Sequence, residues 1–173
     1  MIVFLYLMML VYYYMIISDG IKIIKQDRET RQIKDSLIYR YTLLSFIAGI
    51  IINSIIYIVS RGYFNFGFVF IVTIINFGLT FGLFYLTRLL VKHLWKKRLG
   101  MADVFLLSST GAMFGVVIAI GLYLLVSMGF IITNLFKKKR EKIIKEIAFA
   151  EYIIIPSIIL YGLMLFGFLS YLF

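Results

Sequence analysis

Residues 103–136 read DVFLLSSTGAMFGVVIAIGLYLLVSMGFIITNLF, an apolar run whose one charge, Asp103, stands at its first position. Basic clusters flank it: Arg88, Lys92, Lys96, Lys97 and Arg98 before, and Lys137, Lys138, Lys139, Arg140, Lys142 and Lys145 after. A single helix of this length would be about 51 Å long at 1.5 Å per residue, against a hydrocarbon core of roughly 30 Å. That is too long for one crossing and short for two. Lysine and arginine collect in cytoplasmic loops, so both flanking clusters belong on the same side and an even number of crossings must separate them. Parity therefore calls for a hairpin of two short helices, about 103–116 and 118–136, turning around Gly115–Gly121.

Working outward, apolar runs at about 2–18, 41–60, 64–91 and 147–173 supply four more segments. None alternates polar and apolar residues as a barrel strand does, and only helices or closed barrels satisfy their backbone in lipid. A third basic cluster, Lys22, Lys25, Arg28, Arg31, Lys34 and Arg40, follows the first run, so that all but Arg61 of the 18 lysines and arginines fall in three loops. The second and third runs turn near Arg61–Gly67. The expected fold class is an all-α integral membrane protein of six transmembrane helices, both termini outside and three basic cytoplasmic loops, forming a single domain over 1–173. Met1–Ile17 lacks a basic leading region and a small-residue cleavage site, so it reads as a retained first helix in a multi-pass protein of the cell membrane.

Composition agrees, with 63% hydrophobic and 15% charged residues, where soluble domains hold roughly 45–50% and 25%. Without cysteine, disulfides, thiolate catalysis and zinc–cysteine sites are excluded. One histidine, His93, points to neither a histidine-rich metal site nor a serine–histidine triad. No metal or cofactor is expected. The net charge of +10 follows from loops that set topology and sit against anionic lipid, and it points to no nucleic-acid partner. No internal repeat of the kind common in transporters is visible.

Any chemistry must rest on carboxylates, of which there are eight. Asp103 follows Gly100-Met101-Ala102, where small residues allow close backbone approach; its structural alternative is an N-cap for a helix starting at Val104. Asp27 lies in Asp27-Arg28-Glu29-Thr30-Arg31-Gln32-Ile33-Lys34-Asp35, read as a loop beyond the first helix, where composition alone favours a solvated charge run with an Asp27–Arg31 pair. Asp19 is its rival, nearer the apolar end of the first helix, and Asp19-Gly20 reads as an interfacial break or a helix continuing into the cytoplasm. Gly111, Gly115 and Gly121 suit close helix packing in lipid.

Gly100-Met101-Ala102-Asp103-Val104-Phe105-Leu106-Leu107, continuing to Gly111-Ala112-Met113-Phe114-Gly115, resembles the GxGD segment of type IV prepilin peptidases. The Asp27 segment resembles that family's other aspartate motif, with Arg31 four and Ile33 six places on. Asp35 suits the archaeal preflagellin peptidases better than the bacterial pattern. A weaker likeness covers Ile147-Ala148-Phe149-Ala150-Glu151-Tyr152. Ala102, Phe105, Lys34 and Glu151 depart from the family pattern, and the methyltransferase domain of many bacterial members is absent.

The resemblance implies a membrane aspartic endopeptidase. Asp27 and Asp103 would be catalytic, supported by Gly100, Ala102, Arg31, Ile33 and Asp35, with Asp19 as the alternative first aspartate. Two carboxylates brought together cannot both ionise cheaply, so one keeps its proton. The ionised partner would take a proton from water while the other hydrogen-bonds the scissile carbonyl. Implied partners are prepilin- or preflagellin-like precursors, cut just before their apolar helix to release a short basic leader. The chain itself, as well as any homo-oligomer, would sit in the bilayer. Glu29, Asp35, Glu146 and Glu151 are candidate contacts for the leader. Two other readings stay open, a small transporter or channel and an inactive scaffold relative.

Overall fold

Unbranched aliphatic and aromatic runs with one proline in the whole chain favour long helices, because nothing interrupts the i→i−4 ladder. The computed structural model describes residues 1–30, 32–61, 63–95, 100–137 and 149–172. Its elements are α1 (Ile2–Thr30), α2 (Asp35–Arg61), α3 (Phe66–Trp95), α4 (Met101–Phe114), α5 (Val116–Lys137) and α6 (Phe149–Leu172). Among the described residues the protein is all-helical. Four helices, α1, α2, α3 and α6, are long and apolar enough to cross a membrane, while α4 is a shorter apolar helix.

The first helix continues past Asp19-Gly20, one of the two readings of that step, and corrects the boundary near residue 18. It does not stop near residue 18 but runs on to Thr30, so Asp27 lies on a helix and not in a loop. Hydropathy falls away after Ser18, yet helix propensity does not, since Lys, Gln, Arg and Glu are good helix formers. Charge pairs one turn apart add support, with Lys22 3.6 Å from Asp19 and Lys25 4.0 Å from Glu29. The helix ends where the Thr30 hydroxyl bridges the carbonyls of Gln26 and Gln32 at 2.9 and 2.8 Å. Asp35 then opens α2, its charge favourable at the positive helix end. At the start of α3 the Asn65 side chain accepts the Phe68 N–H at 3.1 Å, an N-cap.

The centre of the protein is α4. Every residue from Leu106 to Phe114 is buried, and the helix packs against α2, α3, α5 and α6. Its hydroxyls are satisfied within the protein: Ser109 bonds Thr42 at 3.1 Å, and Thr110 pairs with Ser157 at 3.0 Å. Close approach to α3 depends on Gly111, where a Cβ would sit 2.1 Å from Thr80 Oγ1. The hairpin turns at Gly115, whose φ of 90° lies in the left-handed region that glycine reaches without steric cost.

Opposite α4, the outer faces carry Phe4, Leu7, Leu79, Leu125 and Phe166, all more than half exposed. Such surface is stable only against an apolar solvent. The protein is a helical membrane protein.

Candidate active site

Contacts between helix ends gather one end of the bundle. Arg88 of α3 reaches Met101 of α4 at 3.3 Å, Gln26 of α1 accepts the Lys34 N–H at 3.2 Å, and α1 meets the first turn of α6. Two of the predicted carboxylates lie here.

Asp27 is 9% exposed. Its Oδ2 accepts the N–H of Ala150 at 3.1 Å, in the first turn of α6. The opening amides of a helix have no partner within it and carry the positive end of its dipole, so they suit an anion. Beside this contact, the Arg28 guanidinium makes a two-pronged ion pair with Glu151, one prong measuring 2.9 Å from Nε. The last turn of α1 is thus fastened to the first turn of α6 twice.

Asp103 sits in the first turn of α4, which begins at Met101 and not at Val104 as an Asp103 N-cap would require. It works in the reverse sense, folding back so that Oδ2 accepts the Gly100 N–H at 3.1 Å. Gly100 leaves room for this hook, since a Cβ there would come 3.0 Å from that oxygen. Desolvation pushes the Asp103 carboxyl up to about 7, the Gly100 N–H draws it down and the Asp27 charge adds to the rise, while no Cα atoms of α1 and α4 approach within 8 Å. Neither carboxylate forms an ion pair with a described lysine or arginine, and among the described residues each is tethered through Oδ2.

Asp19 is placed differently. It is wholly buried, with Arg40 Nε of α2 at 2.8 Å and Lys22 Nζ at 3.6 Å. Ile33 is half-buried and packs on the core, Ala102 is half-buried, and Asp35 and Gly100 are exposed. Arg31, Glu146 and Ile147 lie outside the described residues. Glu151 contacts Arg28 and Glu29 contacts Lys25.

Sequence reasoning missed the role of the α6 amide and the Arg28–Glu151 clamp. The likeness around Ile147–Tyr152 was the available signal for that segment. Gly121 is also a correction: nothing lies within 4 Å of where its Cβ would be, so it packs against no neighbouring helix. Among the described residues no three His, Asp or Glu side chains converge as a metal site would require.

Comparison with protein-family models, curated proteins and solved structures finds no match to this chain.

Proposed function

We propose that the protein is an aspartic endopeptidase of the cell membrane that removes the basic leader from type IV prepilin-like or preflagellin-like precursors. In this reading six helices cross the bilayer, the termini lie outside, and the end bearing Asp27 and Asp103 faces the cytoplasm. The observation that carries it is that one end of the bundle holds Asp27 and Asp103, each tethered to a backbone amide at a helix start and neither paired with a described cation.

Each carboxylate is held by a backbone amide through Oδ2, and in this reading Oδ1 does the chemistry. One proton shared by the pair leaves one base and one acid. The base deprotonates a water, the water attacks the peptide carbonyl, and the acid hydrogen-bonds the carbonyl oxygen as charge develops there. The proton taken from water then passes to the departing amine. Ala150 N–H and Gly100 N–H fix the carboxylates before substrate arrives, so less ordering is needed in the transition state.

The test is purified protein in liposomes with precursors that join a basic leader to an apolar helix. Mass spectrometry should find the leader released by a cut just before the apolar segment. Precursors left intact across several pilin-like substrates would favour a transporter or scaffold.

A further inference from the structure

The apolar stretch of α1 ends at Ser18, and that of α2 begins at Tyr41. Just past the first stand Asp19 and Lys22, and just before the second stands Arg40. The fold brings these three together. Arg40 Nε lies 2.8 Å from Asp19 Oδ2, and Lys22 Nζ lies 3.6 Å from Asp19 Oδ1. Asp19 is wholly buried, whereas both cations are half exposed. Two helices therefore mark the same level, where hydrocarbon gives way to headgroups.

We propose that Lys22 and Arg40 form a binding site for the phosphodiester of an anionic phospholipid. Charge supports it first. Two cations share one carboxylate, so among the described residues the cluster keeps a surplus of one positive charge. A surplus charge at the edge of hydrocarbon is costly and draws a counter-charge from outside the protein. Arg40 contacts Asp19 through Nε, and its guanidinium carries two further Nη groups in the planar fork that matches phosphate oxygens.

The surroundings support it second. Ile21, Tyr39 and Leu43, beside these cations in the chain, are all more than half exposed. Such a margin faces acyl chains, so the phosphate that reaches it is carried by a lipid and is not free in solution. A single surplus charge matches a singly charged anionic headgroup, whereas a zwitterionic one would bring its own ammonium against Lys22. Neither Asp27 nor Asp103 takes part, so the site stands or falls apart from the peptidase reading.

The experiment titrates purified protein in neutral detergent with phosphatidylglycerol and counts bound lipid by native mass spectrometry. Wild type should bind phosphatidylglycerol, with phosphatidylcholine about tenfold weaker. Lys22→Gln should weaken phosphatidylglycerol binding about fivefold, the contribution of one lysine near an anionic surface. Lys25→Gln, three residues further along α1 at a lysine paired with Glu29, removes the same charge and should leave binding unchanged. Arg40→Lys keeps a cation for Asp19 and should also weaken binding, through loss of the fork. Equal losses for Lys22→Gln and Lys25→Gln would mean diffuse attraction to the basic loops and would overturn the site. Equal binding of phosphatidylcholine would overturn it too, as would inorganic phosphate that displaces the lipid, which would assign the cations to a free anion.

Discussion

Asp19 and Asp27 lie on the same helix, both buried, and the protein treats them in opposite ways. Asp19 is enclosed by cations, Arg40 at 2.8 Å and Lys22 at 3.6 Å. Asp27 has a backbone amide and no described lysine or arginine in an ion pair. A buried charge held by opposite charges is settled, and removing either partner costs stability. A buried carboxylate facing another carboxylate is poised to exchange a proton, the arrangement expected at a functional site and costly anywhere else. Two acids of one helix thus differ in their partners, Asp19 as a charge-paired strut and Asp27 as the acid that the proposed peptidase would use.

The sharpest way to break this contrast is to neutralise each acid. Asp27→Asn or Asp103→Asn should lower leader cleavage by about 10³-fold or more, as loss of an acid–base group does. The double substitution should add little, because the pair acts as a unit. Asp19→Asn should leave cleavage per folded molecule near wild type.

Next in size is the strut. Arg40→Met leaves Asp19 buried with Lys22 alone, and should cost about 2–3 kcal/mol, below the range for a fully buried pair because Arg40 is itself half exposed. Thermal unfolding in detergent reads this, and Asp19→Leu combined with Arg40→Met should recover most of the loss. Failure of the double variant to recover would mean that the pair does more than brace α1 against α2.

A smaller effect is expected at Gly111, which seats α4 and so places Asp103. Gly111→Ala forces Thr80 to give way and should cost about 1–2 kcal/mol from overpacking, measured in the same unfolding assay. The smallest belongs to the clamp beside Asp27. Arg28→Gln removes an exposed ion pair with Glu151, and thermal unfolding of the variant should be close to that of wild type.

Much of the fold is legible in the sequence because lipid imposes simple rules. The 103–136 run needs a break between two basic clusters, and Gly115 with its positive φ provides it. The extension of α1 to Thr30 is not legible from hydropathy, since the residues after Ser18 are polar yet helix-forming. That difference matters at the site. In a loop, Asp27 would be an ordinary solvated charge; on a helix, it is buried and turned toward the start of α6. The Asp19–Arg40 pair had a faint signal, an acid and a base each near the end of an apolar run, but their pairing depends on how α1 crosses α2. The Ala150 amide has no side-chain signature at all, because any residue except proline could donate it.

Proximity of residues 27 and 103 is most directly measured by cross-linking, and the chain has no cysteine to interfere. Asp27→Cys combined with Asp103→Cys, treated in native membranes with a short bismaleimide, should give an intramolecular cross-link in high yield. Each single cysteine should react with a monofunctional maleimide. Two reactive cysteines that never join would contradict a shared catalytic site.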